Sequence, residues 1–226
     1  MLWVAAYPNL DSSNKIRALV TRAARMDRYA CLDGGTRRCD WGRISGTFDP
    51  ADYNGDLSPP TGEELKSDIY QGIVGGGRGI WMFEWNTGGV ADDLSQDIKE
   101  IANQFLGPAK LGEVVLAADV PQTVNLEVVS GPTQSPAVDY FHDDGEGTWV
   151  NYGSIQYLQK EYQGETYILA VNIAGDNQDN AVTARFGNLA VGVVSTEVLF
   201  EGRSIPVTDG SFTDTFEENE VHVYKI

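Results

Sequence analysis

A change of hydrophobic period part-way along the chain constrains its fold most. Up to about residue 106, short apolar runs alternate with stretches of helical spacing. Leu2 to Tyr7 is an apolar run stopped by Pro8 and reads as a buried strand. Residues 12–26 set Ile16, Leu19, Val20 and Ala23 on one helical face, with Ser12 or Ser13 as N-cap. Tyr29 to Leu32 reads as a second strand, ending at Asp33-Gly34-Gly35, and residues 36–60 read as a long loop rich in Asp, Gly and Pro. Thr61-Gly62-Glu63-Glu64 spells a capping box, after which Leu65, Ile69 and Ile73 line one face of a helix closed by Gly75 to Gly77. A strand over 79–85 follows, and then Leu94, Ile98, Ile101 and Phe105 mark another amphipathic helix, stopped at Gly107-Pro108. Strand–helix repeated three times predicts a parallel sheet, whose strands are covered on both faces and therefore read continuously apolar. That accounts for Ile80 to Phe83 but not for Glu84, a carboxylate placed between Trp81 and Trp85.

Beyond residue 110 the pattern is of short strands separated by turn clusters: Val124 to Val129, Ile155 to Glu161, Thr166 to Ile173, Ala181 to Phe186, Thr196 to Phe200 and Val221 to Tyr224. GDNQDN at 175–180 and TDGS at 208–211 read as turns. This half predicts an antiparallel β-sandwich. Charge divides the chain in the same way. Residues 1–110 hold 15 acids and 12 bases, a net −3, whereas residues 111–226 hold 18 acids and 4 bases, a net −14. The expected organisation is residues 1–110 as three βα units and residues 111–226 as an accessory sandwich, α/β followed by all-β.

A total charge of −17 repels phosphate backbones and anionic lipid, so neither nucleic acid nor a membrane surface is an expected partner. It suits a salty, secreted or extracellular setting. The start, MLWVAAYPN, lacks a basic leader and a long apolar segment, and so does not read as a signal peptide. Cys31 and Cys39 are eight residues apart and read either as a small loop disulfide or as two free thiols. His142-Asp143-Asp144-Gly145-Glu146 reads as a solvated turn rather than a calcium loop. His222, between Val221 and Val223, reads as an outward-facing strand residue. No metal site and no cofactor is expected.

The order of parts resembles a known architecture. TGEELKSDIYQGIVGGGRGIWMFEW resembles the last helix and last strand of a (β/α)8-barrel glycoside hydrolase, and ADDLSQDIKEIANQFLGPAKLGEVVL resembles the closing helix. ETYILAVNIAGDNQDNAVTARF and GSFTDTFEENEVHVYKI resemble the small β-sandwich that trails such barrels. The resemblance spans residues 61–113 and 154–226. It implies a partial (β/α)8 (TIM-type) barrel followed by an antiparallel β-sandwich. A whole barrel takes about 250 residues, and three units precede the sandwich here. With 79–85 as the eighth strand, 29–33 would be the seventh and 2–7 the sixth. The chain is then expected to be a C-terminal part of the barrel, completed by another chain or by an N-terminal segment.

In such barrels the reacting groups stand at the C-terminal ends of strands, and glycoside hydrolysis usually needs two carboxyl groups across the sugar bond. The resemblance therefore marks Asp33 as a candidate nucleophile or base, and Glu84 as a substrate ligand or an acid whose pKa is raised by the desolvating indoles. Trp85, with Trp41 and Tyr7, could form walls against which a sugar ring packs. The bland reading of Asp33 is a chain turn, that of Glu84 an ion pair with Arg78, and that of the aromatics core packing. The expected function is carboxylate acid/base hydrolysis of a carbohydrate; the alternative is a non-catalytic carbohydrate-binding, assembly or structural protein.

Overall fold

The computed structural model describes residues 2–6, 41–46, 61–83, 94–139, 148–174 and 180–226, with residues 2–6, 41–46, 81–83, 136–139 and 148–150 described as backbone alone. The chain divides into two compact units, Met1–Ile101 with Ser135–Tyr152, and Ala102–Gln134 with Gly153–Ile226. Antiparallel pairing dominates the described chain, and helices are few.

The first unit carries a three-stranded parallel sheet in the order β1 (Leu2–Ala6), β2 (Trp41–Gly46), β3 (Gly79–Phe83). Its central strand corrects the sequence reading, because β2 lies inside the segment 36–60 read as a loop. Only Trp41 and Ile44 of WGRISG are large and apolar, so hydrophobic pattern alone gives no strand there. The strand is selected by ladder pairing on both of its edges, a tertiary effect that outweighs local preference. The second strand read at Tyr29 to Leu32, the helix over 12–26, Cys31, Cys39 and the turn at 142–146 lie outside the described residues.

Helix α1 (Gly62–Val74) forms as the capping box predicts. The Thr61 backbone N–H donates to Glu64 Oε2 at 2.8 Å, and the Glu64 N–H donates to Thr61 Oγ1 at 3.1 Å. Two amide donors that the first helical turn cannot satisfy are thereby paired. At the other end Gly77 N–H donates to Gly72 O and Gly76 N–H to Ile73 O. With Gly76 at φ 105°, this is a Schellman closure that a β-carbon would strain. Helix α1 packs against β2. Its interior is buried almost all round: Leu65, Ile69, Tyr70 and Ile73 are joined by Ser67, Asp68 and Gln71. Thr61→Ala is expected to cost about 1 kcal/mol and to speed amide exchange at Glu64, which loses its acceptor. Exchange at Glu64 unchanged from wild type would show the cap to be dispensable.

Helix α2 (Leu94–Leu106) buries Leu94, Ile98 and Ile101. Helix α3 (Leu111–Leu116), which the sequence reading did not separate, buries Leu111, Val114 and Val115. A two-stranded sheet pairs β5 (Gln134–Asp139) with β6 (Thr148–Gly153).

The second unit holds two antiparallel sheets. One has the order β11 (Arg203–Pro206), β10 (Ser195–Val198), β13 (Val221–Lys225), β8 (Glu165–Asn172), β7 (Ile155–Tyr162), and the other the order β12 (Phe212–Phe216), β9 (Val182–Gly187), β4 (Asn125–Ser130). The β7–β8 hairpin turns on Gln163 (φ 54°) and Gly164 (φ 87°), the two positive φ values of the turn type whose twist matches the strands. Asp209 (φ 51°) and Gly210 (φ 66°) repeat this between Thr208 and Ser211. The core between the sheets gathers Ile155, Ile168, Ala170, Val182, Ala184, Phe186, Val198, Phe212, Phe216 and Tyr224. Helix α3 packs on β7.

Candidate functional site

The parallel sheet decides where chemistry could gather. Its register pairs Ala6 with Ser45 and Gly46 with Phe83, so the three strands finish along a common edge. In parallel α/β architectures the loops leaving that edge carry the reactive groups. Tyr7 is the residue after Ala6, and Glu84 and Trp85 are the two after Phe83. All three therefore continue strands that end at the same edge, although they, like Asp33, lie outside the described residues.

Trp41 is different. It is the first residue of β2, paired with Leu2 at the start of β1. Roughly 16 Å of strand separates it from the edge that Glu84 follows, at about 3.3 Å per residue. Its backbone therefore lies at the other end of β2 from that edge. The strand beside β3 also changes which carboxylate is of interest. After Gly46 come Thr47, Phe48 and Asp49, so Asp49 is the first carboxylate to follow β2. Only the position of β2 brings it forward.

Inside the second unit a partly buried polar cluster gathers around His222. Arg203 Nη1 and Nη2 donate to Asp214 Oδ1 and Oδ2 at 3.0 and 2.7 Å, and Arg203 Nε donates to Glu201 Oε2 at 2.7 Å. The Tyr224 hydroxyl donates to Asp214 Oδ2 at 2.9 Å. His222, 2% exposed, lies at 2.6 Å from Glu201 through Nδ1 and at 3.2 Å from the Thr215 carbonyl through Nε2. This corrects the outward-facing reading of His222. The residue shares its strand face with Tyr224, two positions on, and that face packs into the core, with the ring centroids of His222 and Phe216 4.5 Å apart. Val221 and Val223, on the opposite face, are buried as well, so alternation in the sequence could not tell which side faced water.

These contacts shift the titrations. Burial pushes the Tyr224 hydroxyl well up, and the Asp214 charge adds to that. Burial pulls the His222 ring down, but the Glu220 and Glu201 carboxylates outweigh it, and the net shift is upward. The Glu220 carboxyl is held below its usual range, chiefly by His222.

A groove of about 920 Å³ opens on the sandwich, lined in part by Asn125, Glu127, Arg185, Asn188, Asp209 and Thr213. Three of its polar side chains are engaged: Arg185 pairs with Glu127 at 2.5 Å, and Asn188 Nδ2 donates to the Thr123 carbonyl at 2.7 Å. Phe212 lines it but is 2% exposed, so it offers no aromatic platform for a sugar ring. Among the described residues no group of three or more His, Cys, Asp or Glu side chains is placed to hold a metal ion. No described helix is long and apolar enough to cross a membrane.

No protein-family model matches the chain, and no curated protein matches it. Solved structures do. An α-amylase from Geobacillus thermoleovorans, complexed with acarbose, matches with TM-score 0.50 at 11% identity, over 93% of this chain and 45% of that one. AmyP, in complex with maltose, matches with TM-score 0.49 at 9% identity, over 98% of this chain and 49% of that one. A GH30 endoxylanase from Clostridium papyrosolvens C71 matches with TM-score 0.41 at 15% identity, over 100% of this chain and 48% of that one. The chain spans about half the length of the structures it resembles. Identity this low speaks for fold alone, and the first likeness places the chain with part of a glycoside-hydrolase fold.

Proposed function

We propose that the chain is the C-terminal part of a glycoside-hydrolase-like (β/α)8 barrel with its trailing β-sandwich. It acts on a carbohydrate through carboxyl groups that follow the C-terminal ends of its parallel strands. The observation that carries this reading is the parallel order β1-β2-β3, with α1 feeding directly into β3 and an antiparallel sandwich after it. Glu84, continuing β3, is one reacting group. Two carboxylates compete to be its partner: Asp33, as the sequence suggests, and Asp49, which follows β2, the strand that neighbours β3. Trp85 and Tyr7 supply flat apolar faces beside them. The remaining strands come from another chain or from an N-terminal segment; among the described residues β1 and β3 are the outer strands of the sheet, where such pairing would be made.

The test is hydrolysis. The intact protein, in whatever assembly it forms, is offered a panel of nitrophenyl glycosides and polysaccharides. Turnover of at least one substrate is expected. Glycan binding without turnover would convert the reading to a non-catalytic carbohydrate-binding protein, and silence in both assays would remove it.

A further inference from the structure

The closing runs F-x-D-x-F and V-H-V-Y put Asp214 and His222 on strand faces that otherwise carry Phe212, Phe216 and Tyr224 into the core. The proposed hydrolytic site makes no use of them. We propose that His222 stands in the folded sandwich as an imidazolium, clasping the β10–β11 turn to the β12–β13 turn, and that its deprotonation on the alkaline side releases that clasp.

Geometry is the first support. A neutral imidazole has one donor nitrogen and one acceptor nitrogen. Here the nearest atom to each ring nitrogen is an oxygen that can only accept: Glu201 Oε1 at 2.6 Å from Nδ1 and the Thr215 carbonyl at 3.2 Å from Nε2. Glu220 Oε2 at 3.5 Å and Asp214 Oδ2 at 3.9 Å also face Nε2. Arg203 Nη2 gives one hydrogen to Asp214 Oδ2 at 2.7 Å and has a second, but it stands 3.4 Å from Nδ1, against 2.6 Å for Glu201 Oε1, which is the closer partner of that nitrogen. Only the doubly protonated ring gives both nitrogens a hydrogen to donate.

Charge is the second support. The ionisable side chains facing the ring are Glu201 from the β10–β11 turn, Arg203 from β11, Asp214 from β12, Glu220 from the β12–β13 turn and the Tyr224 phenol from its own strand. Three carboxylates share one guanidinium. A neutral His222 would leave two uncompensated negative charges around a side chain that is 2% exposed, and partly buried like charges repel strongly. The imidazolium halves that excess.

The direction of the pH effect follows. His222 is raised above 6.5, so its contribution is complete below 6.5 and is lost as the pH climbs through the folded-state value. Glu220 is lowered below 4.5, so its contribution is present above 4.5 and is lost as the pH falls through its own depressed value. The clasp is therefore fully engaged between about 4.5 and 6.5 and weakens on both sides.

His142 and His222 are the chain's two histidines, so His142→Gln assigns the ring signals in an NMR titration. His222 is expected to titrate with a midpoint above 6.5. Glu201→Gln, which keeps an acceptor but removes the charge, is expected to lower that midpoint. Melting of the wild type should decline as the pH rises above 6.5 through the folded-state midpoint, and His222→Gln should flatten the decline. A midpoint at or below 6.5 in the wild type, or one that Glu201→Gln leaves in place, overturns the proposal. Neither result depends on His222→Gln folding.

Discussion

Phe186→Ala is expected to lower the stability of the sandwich by about 3–5 kcal/mol, the range for emptying a fully buried aromatic site. Phe186 has no exposed surface and sits at the centre of the aromatic core. Its ring stacks on Phe212 at 5.0 Å and 17°, leans on Tyr224 at 5.3 Å and meets Phe216 at 6.3 Å and Tyr157 edge-on at 6.1 Å. Four rings from both sheets lose contact when it goes, and stacked or edge-on pairs contribute beyond their area. Domains of this kind are stable by only about 5–15 kcal/mol, so one substitution removes a large part of the margin. The check is denaturant unfolding followed by near-ultraviolet circular dichroism. Arg185→Ala, one residue earlier on β9, is the control. Its ion pair with Glu127 is more than half exposed on both sides, and its loss should stay within about 1 kcal/mol. Equal midpoints for the two variants would show that the aromatic cluster does not hold the sheets together.

That contrast shows what the sequence could disclose. Where the deciding forces are local, residues declared the structure directly. Thr61 and Glu64 are three apart and cap each other, and Gly76 takes the positive φ that ends α1. Asp209-Gly210 makes its turn for the same kind of reason. The strands β7, β8 and β9 were legible because their apolar residues meet a core that long side chains fill. β2 was not legible: Gly42, Ser45 and Gly46 carry no apolar signal, and the strand exists through the partners on its two edges. β11 and β12 were passed over because Arg203 and Asp214 interrupt their patterns, yet those two residues pair with each other inside the fold. The candidate site shows the same divide. Glu84 is singled out by the apolar run that precedes it, whereas the places of Trp41 at the start of β2 and of Asp49 after its end depend on where β2 lies, which the hydrophobic pattern does not declare.

On the proposed reading, Glu84→Gln is expected to reduce kcat by roughly 10²–10⁴-fold, the usual worth of a positioned general acid or base. The amide keeps the shape and much of the hydrogen bonding of the carboxyl group but cannot transfer its proton. An interaction made only in the transition state lowers kcat and kcat/KM together and leaves KM in place, so that split separates chemistry from substrate binding. The partner is identified by comparison. β2 and β3 are hydrogen-bonded neighbours, and adjacent strands lie about 4.8 Å apart. The segments that carry Asp49 and Glu84 therefore leave from neighbouring strands. This argues that Asp49→Asn should match the loss seen for Glu84→Gln and that Asp33→Asn should fall short of it. The reverse order would return the role to Asp33 and imply that the segment between β1 and β2 brings that residue to the same edge. If all three variants turn over substrate at the wild-type rate, no carboxylate following these strands takes part in the reaction, and the hydrolytic reading of this sheet fails.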